Sequence, residues 1–158
     1  MLSYLGGQLL TIENAIKDLC NNDREIKNKF DRLTSIPGVG TVLATAVVCE
    51  IREIGNIDFR KLTALVGLAP FARDSGQYRG RRSIFAGRAN LRRVLYMAAV
   101  ASLRCNTRIK SFYDCLINNH KPAKVAIIIA VMRKLLAFMH ALFKNNSFWV
   151  QPKENIGS

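Results

Sequence analysis

The chain has 158 residues, 49% of them hydrophobic, which is enough for one core-bearing domain with an appendage. Its net charge of +13 exceeds what solubility alone requires and selects an anionic partner, nucleic acid before an anionic membrane surface. The cysteines Cys20, Cys49, Cys105 and Cys115 have no C-x-x-C spacing and no histidine at ligand distance, which argues against a disulfide framework or a zinc site and for the reduced thiols of a cytosolic protein.

The first segment carries an apolar stripe. Leu2, Leu5, Leu9, Ile12, Ile16, Leu19, Asp23, Ile26, Phe30 and Leu33 follow a 3-4-3-4 spacing with one polar intruder. This is coiled-coil periodicity, and it predicts a long connecting helix over residues 1–33. The helix either lies on its own domain or serves for oligomerisation and docking, and Asn21-Asn22-Asp23 is a weak point that can split it in two. No basic stretch followed by an apolar one succeeds Met1, so no signal peptide is expected.

Ile36-Pro37-Gly38-Val39-Gly40 then stops one helix, and the alanine-rich Thr41–Ile51 stretch starts another at once. This is the helix-hairpin-helix pattern, in which Gly38 and Gly40 let the backbone approach a phosphate and the following helix aims its N–H groups at it. The alternative is an ordinary turn between packed helices. A short helix over Lys61–Gly67 is ended by Leu68-Ala69-Pro70.

The segment Arg73-Asp74-Ser75-Gly76-Gln77-Tyr78-Arg79-Gly80-Arg81-Arg82-Ser83 follows, as an ordered functional loop or a short hairpin. Asp74 is the one acidic residue between Arg60 and Lys110; it reads as a local salt bridge or turn cap. From about Ala89 the pattern is helical again, with Leu91, Leu95, Ala98 and Ser102 or Leu103 inward and Arg88, Arg92, Arg93 and Arg104 off that face. Ile109–Ile117 is a further helix. Pro122 opens the last one, whose stripe of Val125, Ile128, Ile129, Met132, Leu135, Leu136, Met139 and Leu142 reads as core. The apolar run Val125–Met132 is too short for a bilayer and is closed by Arg133-Lys134. Residues 34–149 form one mostly α domain, and 150–158 are expected to be a disordered tail.

Three elements can therefore meet a nucleic-acid backbone: the Gly38–Gly40 hairpin, the loop with Arg79, Arg81 and Arg82, and the helix face with Arg88, Arg92 and Arg93. Arginine suits this task because its planar fork donates bidentately to phosphate and keeps its charge. On residue chemistry alone Ser75 is either a turn residue or a nucleophile that attacks a phosphodiester. No His or Glu close in sequence offers a base; His120 and His140 belong to the C-terminal part, and His140 reads as a packed or exposed histidine. Two-metal chemistry needs clustered carboxylates, and Glu50, Glu53 and Asp58 show no such cluster, so no metal site is expected within the chain.

Taken in order, Ile36–Gly40, Gly67-Leu68-Ala69-Pro70, Arg73–Gly76, Arg79–Arg82, Gly87-Arg88, Leu95–Ala99, Phe112-Tyr113, Lys121-Pro122, Lys124–Ala126 and Met132–Leu136 resemble one family. It is the C-terminal transposase domain of the insertion-sequence "one-ten" family, which includes the Piv-like DNA invertases, and the resemblance covers roughly Leu33 to Trp149. It implies a DNA recombinase, in some members guided by a bridge RNA. It maps the family's serine nucleophile onto Ser75, and it implies a magnesium-binding acidic tetrad supplied by an N-terminal RuvC-like domain. That domain is not recognisable in these residues, so the expectation is a chain that binds nucleic acid, assembles through its first helix and does not recombine DNA alone. A catalytically inactive binding or assembly fragment is the alternative. Ala86, where relatives often carry glycine, is a minor departure. The expected setting is the bacterial cytoplasm, at the nucleoid, with no membrane.

Overall fold

The computed structural model describes residues 4, 6–8, 11–12, 14–15, 18, 23–71, 74–75, 78–79, 83–84, 87–120 and 124–150. It is mostly helical. The described residues before 23 are helical, and a separate helix, α1 (Arg24–Thr34), begins after Asp23, whose carboxylate accepts from the N–H groups of Glu25 (2.8 Å) and Ile26 (3.3 Å). The polar intruder in the stripe is thus a helix N-cap, because a short carboxylate satisfies open first-turn donors that an apolar residue would leave bare. Along the stripe Leu33 is buried, Ile26 and Phe30 are half-buried and Ile12 is exposed; Leu2, Leu5, Leu9, Ile16 and Leu19 lie outside the described side chains.

The remaining helices are α2 (Thr41–Glu50), α3 (Phe59–Val66), α4 (Ala89–Cys105), α5 (Thr107–His120) and α6 (Lys124–Lys144). Asp58 caps α3 by accepting from the Arg60 N–H at 2.9 Å. Leu33, Ile36, Leu43, Leu62, Leu91, Leu95, Ile109, Leu135 and Met139 form one core to which each of α1 to α6 contributes. Helix α4 runs through its middle, packed against α2, α3, α5 and α6. The inward face expected for α4 is present, with Leu91, Leu95, Ala98 and Ser102 buried and Leu103 at its margin.

The stripe of α6 differs in its first turn. Val125 is 72% exposed, whereas Ile127 and Val131 are buried. The start of this helix is apolar on every side, so spacing alone could not choose the face, and packing selects the one continuous with Leu135 and Met139. Val125–Lys144 is long and apolar enough to cross a membrane by length and composition, yet Val131, Met132, Leu135, Leu136, Met139 and Leu142 within it are core residues.

After α6 the chain turns at Asn146 and lays Phe148 and Trp149 back on the body. The Trp149 N–H donates to Ser35 Oγ at 3.0 Å, its ring meets Phe138 at 4.9 Å, and Arg108 lies over it at 5.2 Å. Of the residues expected to form a tail, 150–158, Val150 is exposed and 151–158 lie outside the described residues.

Candidate nucleic-acid interface

Helices α1 and α2 pack together across the Ser35–Gly40 turn, as the Pro-Gly signal implies. The two glycines of that turn have different physical jobs. Gly38 sits at φ +95, and a Cβ there would lie 2.5 Å from the Ser102 Cβ. Its missing side chain lets the turn close onto α4. Gly40 is exposed, and a Cβ there would meet nothing within 4 Å. Asn106, buried between α4 and α5, locks the turn from below. Its Nδ2 donates to the Pro37 carbonyl at 3.3 Å, and its Oδ1 accepts from the Ile109 N–H at 3.2 Å.

Gly40 caps α2 without a side chain, and the first helical bond runs from the Ala44 N–H to the Gly40 carbonyl. The N–H groups of Thr41, Val42 and Leu43 are therefore the open donors of the first turn, and Thr41 and Val42 are exposed around them. Such an end favours an anion through its donors and the helix dipole.

At the other end of α2, Glu50 Oε1 accepts from Asn90 Nδ2 at 3.2 Å. With Gly38 against Ser102 and Glu50 against Asn90, α2 and α4 run antiparallel. The open amides of α2 and the start of α4 consequently lie apart by the rise from Asn90 to Ser102, about 18 Å at 1.5 Å per residue. The hairpin and the arginine-bearing end of α4 do not meet at one point; they mark two ends of a track.

Arg88, Arg92 and Arg93 occupy the second end. Arg93 is exposed, and Arg88 and Arg92 are half-buried. Arg88 is the N-cap residue of α4, its backbone N–H donates to the Leu65 carbonyl at 3.1 Å, and its Nη1 is buried with no hydrogen-bond partner among the described residues. A buried guanidinium donor of this kind suits a phosphate oxygen or a water as its acceptor.

The basic segment springs from this end. Its base is a glycine pair: Gly67 ends α3 at φ +75, Gly87 has φ +80, and a Cβ on Gly87 would lie 2.4 Å from the Gly67 nitrogen. The two motifs Gly67–Pro70 and Gly87-Arg88 are thus one structural joint. Beyond it β1 (Pro70–Phe71) pairs antiparallel with β4 (Ser83–Ile84), and β2 (Asp74–Ser75) pairs antiparallel with β3 (Tyr78–Arg79). The segment is a nested hairpin rather than a free loop. Ser75 opposes Tyr78 in the last rung, with Gly76 and Gln77 between them. Two residues separate β1 from β2 and three separate β3 from β4, and this mismatch interrupts the ladder. Arg81 and Arg82 lie outside the described residues, and Ser75 and Arg79 are placed by backbone register.

The other candidates have structural employment. His140 Nε2 bonds the Ile57 carbonyl at 2.8 Å and its ring meets Phe59 at 5.8 Å, so it is a packed histidine. Cys49, Cys105 and Cys115 are exposed. Among the described residues no group of three or more His, Cys, Asp or Glu gathers as a metal site. Sequence reasoning placed Ser102 on the inner face without its contact to Gly38, and missed Asn106 and Asn90, which help fix the hairpin and the arginine end on α4. A buried asparagine directly between two helices was the available signal.

Residues 30–114 match the profile of the transposase IS116/IS110/IS902 family. The pilin gene-inverting protein of Moraxella bovis is 30% identical over 149 residues, covering 92% of this chain and 46% of that protein. A 44.8 kDa protein of insertion element IS116 from Streptomyces clavuligerus is 41% identical over 83 residues, covering 48% of the chain and 20% of its own length. A 42 kDa protein of insertion element IS900 from Mycobacterium paratuberculosis is 24% identical over 162 residues, covering 94% and 39%. The chain spans less than half the length of these relatives.

Proposed function

Because the chain belongs to the IS116/IS110/IS902 transposase family, we propose that it is the part of a DNA recombinase that grips the phosphodiester backbone and carries the nucleophile. The observation that carries this reading is the track along α2 and α4: open amides at one end, the orphaned Nη1 of Arg88 at the other, and the hairpin bearing Ser75 rooted beside Arg88. Its occupant is DNA, gripped without base choice, since helix amides and arginine forks meet phosphates rather than base edges. A guide RNA is the second polyanion that this surface suits.

In the proposed reaction Ser75 Oγ bonds to phosphorus and loses its proton, and one bridging P–O bond breaks to release a hydroxyl end. The phosphoserine ester keeps the energy of the broken bond for rejoining. Arg79, Arg81, Arg82 and Arg88 balance the charge on the phosphoryl oxygens. The carboxylates of this chain do not fit magnesium: Glu50 is engaged by Asn90, Asp58 caps α3, and no acidic cluster exists among the described residues. The proposal assigns the metal to an acidic RuvC-like domain outside these residues, where it would polarise the attacked phosphate. The N-terminal stripe, in which Ile12 is exposed, is assigned to pairing with a second copy or with a longer transposase.

The test is a trapped adduct. The chain is mixed with a family acidic domain, magnesium and a nicked DNA substrate, and covalent protein–DNA species are resolved by denaturing electrophoresis. The expected result is an adduct that disappears in Ser75→Ala. An undiminished adduct in Ser75→Ala rejects the assignment.

A further inference from the structure

A second cationic surface lies away from the α2–α4 track. A cleft of about 570 Å³ opens between α1, the loop after α2 and the end of α6. Arg24, Lys29, Arg32 and Arg52 line it, with Glu25 the one carboxylate among the lining residues. None of the interface residues named above takes part in it.

Its construction follows from helix geometry. Arg24, Asn28 and Arg32 recur at four-residue intervals, so they form one row on α1, about 12 Å long at 1.5 Å per residue. Arg52 adds a cation from the loop that follows α2, and Asn56 and Asn146 add neutral polar groups. The positive charge is only partly offset: Glu25 is bound to Lys29 at 2.5 Å, which leaves three arginines facing one ion pair. The decisive atom is Arg32 Nε. It is buried and has no hydrogen-bond partner among the described residues, and the guanidinium is held over the Phe148 ring at 5.7 Å. A buried, stacked arginine donor beside two other arginines is costly unless a water or an anion completes it, and the three cations together favour the anion.

We infer that this cleft is a second phosphodiester-binding site, which holds a nucleic-acid strand other than the one on the α2–α4 track. The row is long enough for about three phosphates at ~3.4 Å of rise per nucleotide. Arginine forks accept carboxylate and phosphate alike, so the phosphodiester is favoured by the row itself, whose three arginines suit acceptors repeated along a strand. The inference rests on the chain being a nucleic-acid protein, and the two claims separate by residue.

The experiment is a residue-resolved NMR titration of the isotope-labelled chain with a short DNA duplex, a short single-stranded RNA and polyglutamate. The expected result is saturable shifts at the side-chain amides of Asn28, Asn56 and Asn146 with DNA, RNA or both, and none with polyglutamate. Response to both nucleic acids identifies the shared phosphate backbone, and response to one identifies the strand type. Shifts at Thr41–Leu43 and Ala89–Arg93 without shifts in the cleft overturn this inference and leave the proposed interface standing; the reverse pattern supports the cleft and overturns the interface. No nucleic-acid response anywhere overturns both. An equal response to polyglutamate also overturns the phosphodiester assignment. Arg24→Gln with Arg52→Gln, both exposed positions, is expected to flatten the log K against log salt slope by about 2. Glu25→Gln is expected to tighten binding; weakening by that variant contradicts a charge-driven site.

Discussion

The two hairpin glycines show how one motif divides into a packing residue and one left open to solvent. Gly38 is fixed at positive φ against Ser102, whereas Gly40 has an ordinary extended φ and open space. Gly38→Ala is expected to destabilise the fold by about 2 kcal/mol or more, from the left-handed backbone and the clash with α4. Gly40→Ala is expected to cost less than about 1 kcal/mol, the difference between the two residues at an N-cap, while placing a methyl group beside the open amides and weakening DNA binding. Urea unfolding and a binding titration on the two variants separate the roles. Equal stability loss at both positions would contradict the division. The sequence pattern marked both glycines as phosphate-approaching; it had no means of revealing that Ser102, far along the chain, fills the space next to one of them.

At the scale of elements, the joints matter more than the helices. Asn106 ends α4, caps α5 and bonds the hairpin carbonyl of Pro37, so one side chain holds three elements in register. Asn106→Ala is expected to cost about 2 kcal/mol, combining a lost cap with a buried carbonyl left unsatisfied. It is also expected to weaken DNA binding, because the open end of α2 loses its anchor. A thermal melt shifted by less than the measurement error would remove Asn106 from this role. The helices themselves were legible in the sequence: Pro37, Gly38 and Gly40 stop and restart the chain where α1 gives way to α2, and Leu91, Leu95 and Ala98 mark the inner face of α4. The face of α6 was not legible at its start, where Val125 through Val131 is apolar all round and only tertiary packing breaks the tie. The pairing of Gly67 with Gly87 was equally hidden, since it is a contact between distant turns rather than a local signal.

Over the whole molecule, charge and shape agree. A net charge of +13 is carried by a helical body that offers two phosphate-favouring ends on antiparallel helices about 18 Å apart. Composition pointed to a polyanion but not to this spacing, which arises only when α2 folds back along α4. The separation suits a backbone followed over several nucleotides better than a single phosphate, and it places the Ser75 hairpin at one end of that path. The central claim is therefore backbone gripping through counterion release. The measurement that tests it most directly is the salt dependence of binding of a random-sequence DNA duplex to the chain. Six arginines on the track and hairpin predict a log K against log salt slope of about −5 or steeper, unchanged by Ser75→Ala and flattened by Arg88→Ala with Arg93→Ala. A slope shallower than about −2, or one indifferent to those two arginines, would contradict it.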